Sequence, residues 1–171
     1  AAKKDGPGAA FVYRFLGSSW VLDQELSSSD ALAAQWFGGA VAISGDTIVV
    51  GARHDPENGF NTGAAYVFEY DGADWVEVVK LTPTDFFDFD WFGHDVAIEG
   101  DVIVIGAPFK NAGAGGEGAA YVFTRDGGGV WSEQAKLEPS DPGGSDLFGW
   151  AVAISGERAV VGSKLEDPIS N

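Results

Sequence analysis

The stretch D-F-F-D-F-D-W-F-G, from Asp85 to Gly93, sets three carboxylates among five aromatic rings and closes on a glycine. Asp85, Asp88 and Asp90 could offer oxygens to a hard cation such as calcium, which takes about six to eight of them. Phe86, Phe87 and Phe89 could form a contact surface for another molecule. A second stretch, R-H-D-P-E-N-G-F-N from Arg53, brings His54, Asp55, Glu57 and Asn58 within a few residues of one another. Acids beside a histidine can ligate a ligand or move a proton when they converge in a pocket. The plain alternative is a polar surface loop. Trp36, Trp91 and Trp150 could stack on sugar faces, with Asp90 or Asp146 accepting hydrogen bonds from hydroxyls.

The elements that must position these residues come from an internal repeat. W-F-G-G-A-V-A-I-S-G-D-T-I-V-V-G-A starts at Trp36, W-F-G-H-D-V-A-I-E-G-D-V-I-V-I-G-A at Trp91, and L-F-G-W-A-V-A-I-S-G-E-R-A-V-V-G-S at Leu147. Phe37, Phe92 and Phe148 stand 55 and 56 residues apart, and Gly8, Gly63 and Gly118 open G-A-A-F/Y-V-Y/F segments at intervals of 55. Within a unit the apolar residues alternate with period two, and Ser44-Gly45-Asp46 and Asp71-Gly72 read as hairpin turns. Each unit therefore predicts four short antiparallel strands. Repeats of this length and content predict an all-β chain of β-propeller blades.

The repeat phase predicts three blade equivalents, with the chain starting and ending mid-blade. Residues 8–26 supply third and fourth strands, 37–81 and 92–137 are full blades, and 148–162 supply first and second strands. Propellers close with about four to eight blades. The half-blades are thus expected to be completed by a second copy, making a homo-oligomer, or by the remainder of a longer repeat array.

Alignment of the units sorts the opening residues. Asp30, Asp85 and Asp141 share one offset, seven residues before the phenylalanine of Phe-Gly, and are expected to accept hydrogen bonds from backbone amides at the corner between blades. Asp90 is matched by Gln35 and Asp146, whereas Asp88 and the three phenylalanines are private to the middle unit. His94 is expected at the rim.

The composition narrows the function classes. There are 26 acids against ten Lys and Arg, a net charge of −16. Phosphates would be repelled, so no nucleic-acid partner is expected. No apolar run reaches membrane-spanning length. The chain has no cysteine, which excludes a thiol nucleophile, and contains no G-x-S-x-G, P-loop or H-E-x-x-H motif. No enzyme activity is expected.

The Phe-Gly and Gly-Ala landmarks make the chain resemble the FG-GAP repeats of integrin α-subunit heads. They are Phe37-Gly38 with Gly51-Ala52, Phe92-Gly93 with Gly106-Ala107-Pro108, and Phe148-Gly149 with Gly162-Ser163. The resemblance implies a non-catalytic adhesion or interaction module, extracellular or at a cell surface, with a protein ligand. A lectin-like propeller with a carbohydrate ligand, a self-assembling structural protein, and an accessory domain of a secreted enzyme stand beside it. In the integrin-like relatives calcium is held by a loop resembling D-x-D-x-D-G between the two landmarks. Here that place holds only S-G-D, E-G-D and S-G-E. No cofactor is therefore required, and a weak calcium site at Asp85, Asp88 and Asp90 is the remaining metal expectation.

Overall fold

The computed structural model describes residues 6–32, 34–110, 116–140 and 146–165. These form β-strands and no helix, so no helix is long and apolar enough to cross a membrane. Two four-stranded antiparallel sheets stand between two two-stranded ones. The first pair is β1 (Ala10–Phe15) and β2 (Trp20–Leu26). The first full sheet follows as β3 (Ala40–Ser44), β4 (Thr47–Ala52), β5 (Ala64–Tyr70) and β6 (Trp75–Leu81). The second comprises β7 (Val96–Glu99), β8 (Val102–Ala107), β9 (Ala119–Arg125) and β10 (Trp131–Leu137). The last pair is β11 (Phe148–Ser155) and β12 (Arg158–Ser163). In each full sheet spatial order equals chain order, the blade arrangement that the repeat predicted.

The period-two pattern explains how the sheets stack. Along β4 and β5, Ile48, Val50, Tyr66 and Phe68 face back onto Ala10, Leu26 and Phe37, forming one core layer. Val49, Ala65 and Val67 face forward onto Ile103, Ile105, Tyr121, Phe123 and Phe92, forming the next. Both faces of the central strands are covered, so β4 is buried along its whole length. Phe92 stands edge-on to Tyr121 and Phe123 with centroids 5.4 and 6.0 Å away, and Phe37 repeats this against Tyr66 and Phe68 at 5.4 and 6.1 Å.

Blades are also stitched through their backbones. Gly8, Gly63 and Gly118 make isolated parallel bridges to Phe37, Phe92 and Phe148 of the next unit. The Phe92 N–H donates to Thr62 O of the preceding unit at 3.0 Å, while the Gly93 N–H closes its own corner onto Gly106 O at 3.1 Å. Gly93 adopts φ +82°, and a Cβ there would lie 2.2 Å from Ala64 O. A Cβ on Gly51 would lie 2.2 Å from Gly93 O. The Phe-Gly and Gly-Ala landmarks are therefore two sides of one backbone-to-backbone contact that no side chain fits.

Gly93→Ala is expected to cost about 3 kcal/mol or more, because strain and a backbone clash add. Gly45→Ala is the control: φ is +55° but a Cβ would meet nothing within 4 Å, so only about 1 kcal/mol should be lost. Denaturant titration of both variants checks the difference.

Candidate functional site

The functional candidates gather at the rim where first strands begin and second strands end. The loop 53–63 leads from β4 to β5, and the loop 82–95 leads from β6 to β7. Phe89 N–H donates to Phe60 O at 2.7 Å and Trp91 N–H to Asn61 O, so the two loops are tied together through main chain. Ala34, Trp36, Phe89, Trp91 and Leu147 all have positive φ between 57° and 67°. Such conformations are costly for residues other than glycine, most of all for the tryptophans, and persist only where the surroundings fix them.

The acid recurring seven residues before Phe-Gly has partners other than the amides expected. Asp30 accepts from the Tyr66 hydroxyl at 2.7 Å and pairs with Lys80 at 2.6 Å, both on the following sheet. Asp85 likewise accepts from Tyr121 at 2.7 Å and pairs with Lys136 at 3.0 Å. Tyrosine and lysine outcompete the amides because third and fourth strands carry them to the blade seam at one register in both units. Burial is the largest influence on each acid and pushes its pKa up. Hydrogen bonds and charge from Lys80 and Tyr66, or from Tyr121 and Lys136 with Lys110 nearby, outweigh it and hold both carboxyls below their ordinary value. Asp141 lies outside the described residues.

A second polar node sits beneath each of these acids, and its charges are exchanged between units. In the first, buried Gln35 donates to Asp55 Oδ2 at 2.9 Å. Asp55, fully buried, also receives the Tyr66 hydroxyl at 2.7 Å and Lys80 at 3.0 Å. In the second unit the counterpart of Gln35 is Asp90 and that of Asp55 is Lys110. Their side chains, each only 1% exposed, pair at 2.9 Å. Lys110 also donates to the Asp85 carbonyl oxygen, and the Phe87 N–H donates to Asp90 at 2.7 Å. Burial still raises the Asp90 pKa, only partly offset by Lys110 and Phe87.

This geometry reassigns several sequence candidates. Asp85, Asp88 and Asp90 do not converge, and no group of three His, Asp or Glu suited to a metal ion occurs among the described residues. The carboxylates are taken up by other partners: Lys110 lies 2.9 Å from Asp90 and 3.4 Å from Asp85, Asp85 also meets Tyr121 and Lys136, and Asp88 accepts from the Phe60 N–H at 2.8 Å. The private acid Asp88 thus ties its loop to the preceding one. Asp55 is a buried structural acid rather than a surface contact. Glu57 remains exposed, pairing with Lys80 at 2.5 Å, and Asn58 is half-buried beside it. His54 is separated from both acids and stacks on Trp36 at 4.8 Å and against Trp91 at 5.1 Å.

Two surface features remain at this rim. The first is aromatic: Phe60 is 71% exposed, Phe87 65%, Phe89 50% and Phe86 40%. Phe60 and Phe89 lie 6.0 Å apart across the tied loops. The second is a row in which His94 follows Trp91 and meets Trp150 at 4.4 Å, while Arg53 lies over Trp36 and Trp91 at 4.4 and 5.2 Å. Lys164 covers Trp150 at 3.5 Å. Burial, then the Arg53 charge, lowers the pKa of both histidines, with Lys164 adding to the effect at His94 against an opposing Asp95. Gln35, Phe60 and Lys110 were not singled out from sequence. The matched positions Gln35/Asp90 and Asp55/Lys110 carry the signal for the first and last.

Lys110→Met is expected to destabilise the fold by about 3–5 kcal/mol, because Asp90 then stays buried without its cation. The double variant Asp90→Asn with Lys110→Met should recover most of that loss. Urea unfolding of the three proteins measures it, and equal losses in both variants would contradict the pairing.

Comparison with curated proteins yields no match. A family model described as FG-GAP repeat matches residues 20–68, 75–123 and 131–171. Those three stretches take in most of the chain and follow the period of the blade-to-blade glycine contacts. The chain belongs to the FG-GAP repeat family.

Proposed function

We propose that the chain is a non-catalytic interaction module, extracellular or at a cell surface, that displays its rim loops to a protein partner. The carrying observation is the patch of Phe60, Phe87 and Phe89, rings left open to solvent on two loops whose backbones are fixed to each other. Apolar surface held rigid in advance binds without a large ordering cost. Aromatic anchors of this kind dominate protein interfaces. Membership of the FG-GAP family supports an interaction role, since such repeats occur in adhesion propellers.

We also infer that the exposed half-sheets are covered by strand pairing between two copies. Phe11 is 53% exposed and Tyr13 55%, whereas their counterparts Tyr66 and Phe68 inside the full sheet are 0% and 3%. Val160 is 68% exposed against 0% for Val49 and Val104. Beside β1 a cavity of about 440 Å³, lined by Phe11, Tyr13, Val41 and Ile43, borders the side where first and second strands stand in the full sheets. The β11–β12 pair is such an element. The β4–β5 and β8–β9 registers place Val160 opposite Val12 and Val161 opposite Phe11.

The first reading is tested by immobilising the protein and comparing retained cell-surface and extracellular proteins with those held by Phe60→Ser/Phe87→Ser/Phe89→Ser. The variant should unfold at the wild-type temperature yet lose specific retention, and an unchanged retained set overturns the patch. The second is tested by light scattering. A dimer near twice 17.9 kDa is expected, with a Val12→Pro variant shifting to monomer; a wild-type monomer at 0.1 mM overturns it.

A further inference from the structure

The chain has two histidines, and both sit in the row of rings that crosses the rim over three successive units. His54 lies between Trp36 at 4.8 Å and Trp91 at 5.1 Å, and His94 between Trp91 at 6.1 Å and Trp150 at 4.4 Å. Each imidazole is thus wedged between tryptophans of two different units. Each also stands at the root of one of the two tied loops, His54 in 53–63 and His94 in 82–95. His54 Nε2 and His94 Nδ1 are closed to solvent and have no hydrogen-bond partner. A neutral imidazole tolerates this, because one of its nitrogens carries no proton and needs no acceptor. The imidazolium carries N–H on both, so a proton gained would make the closed nitrogen a buried donor without an acceptor.

We propose that His54 and His94 form an acid-sensitive latch on the rim: proton uptake by either ring forces its closed nitrogen out to solvent, parts the tryptophans beside it and loosens the tie between the two loops. The charges facing the row point the same way. Arg53 lies over Trp36 and Trp91 at 4.4 and 5.2 Å, and Lys164 over Trp150 at 3.5 Å, so a further cation meets repulsion. Asp55, next to His54 in the chain, is turned to Tyr66 and Lys80. Asp95 favours a charged His94, but its carboxylate already accepts from the Val152 N–H at 2.8 Å. Burial first, then the Arg53 charge, therefore holds both histidines below the ordinary imidazole value of 6.5. A group with its pKa depressed in the closed state stabilises that state fully above its ordinary value, and the contribution is lost as pH falls below it. The sheets beneath are held by the glycine contacts and stay stacked. The latch depends neither on a partner for the phenylalanine patch nor on pairing between copies.

Two NMR measurements on the protein alone test it. The imidazole Cε1–H resonances, assigned with His54→Gln and His94→Gln, should both titrate below 6.5, and Arg53→Gln should move both upward. Amide exchange between pH 7.5 and 5.5, corrected for the intrinsic rate, reads the loops. Protection of the Phe89 and Trp91 amides, which donate across the tie, should fall at least about tenfold, while Val104 on the covered β8 keeps its own. In the double variant His54→Gln/His94→Gln the two rim amides should be equally protected at both pH values. Either histidine titrating at 6.5 or above in the wild-type protein overturns the proposal. So does unchanged protection of the rim amides in the wild type, or the same fall in the double variant, which would assign the effect to carboxylates. The wild-type measurements decide even where a variant fails to fold.

Discussion

The fold depends on one close approach: the backbone of each Phe-Gly corner lies against the Gly-Ala segment of the preceding blade. Gly93 O sits where a Cβ of Gly51 would be, and Gly149 O where a Cβ of Gly106 would be, at 2.2 and 2.0 Å. Such contacts set the spacing between sheets before any side chain is chosen. They also put Phe92 and Phe37 at the seam, where each closes the core layer between its own third strand and the sheet before it. The apolar alternation of β4, β5, β8 and β9 can then bury both faces at once, which supplies the main driving force for folding.

Around that contact the rim is held by polar pairs that cross between sheets. Asp30 with Tyr66 and Lys80, and Asp85 with Tyr121 and Lys136, are two copies of one clamp. Ser29 against Glu77 and Thr84 against Glu133 form another, each acid accepting from a backbone amide and a hydroxyl. Beneath the first clamp, a neutral–anionic pair in one unit becomes an anionic–cationic pair in the next. Asp55 takes its cation from Lys80 and a neutral hydrogen bond from Gln35, whereas Lys110 in the place of Asp55 demands an acid in the place of Gln35. The node keeps its hydrogen bonds while its charges change, because a buried polar group left unmatched would cost more than the exchange.

The strands and their order were readable because the repeat supplies three aligned copies of every position. Landmark spacing, period-two alternation and turn glycines all pointed to blades, and the observed sheets follow that pattern. The rim was harder to read. The proximity of Asp85, Asp88 and Asp90 in the chain says nothing about where carboxylates on a tightly bent loop point; here Asp85 and Asp90 both reach Lys110, while Asp88 turns away to the Phe60 N–H. Asp55 resembled a surface acid because its partners Gln35, Tyr66 and Lys80 lie 20, 11 and 25 residues away. Phe60, which nothing in its polar loop distinguishes, is placed beside the other rings by the hydrogen bond from Phe89 N–H to Phe60 O.

The same constraint that makes the blades alike explains where they can differ. The positions flanking Phe-Gly carry Trp36 and Gly39 in one copy, Trp91 and His94 in the next, Leu147 and Trp150 in the third. Their backbones are fixed by the glycine contact and by the recurring positive φ at Trp36, Trp91 and Leu147, but the side chains differ in role: Trp36 is exposed at the rim, whereas Leu147 is buried. Arg53 stands just after the second glycine landmark and lies over Trp36 and Trp91; of its counterparts, Pro108 is buried and Lys164 lies over Trp150. Substitution at the exposed places, such as Trp36, alters what the rim offers while leaving the stack of sheets intact. A row of tryptophan, arginine and histidine can therefore arise across successive blades without any change in how they pack, and recognition is separable from folding at that edge of the molecule.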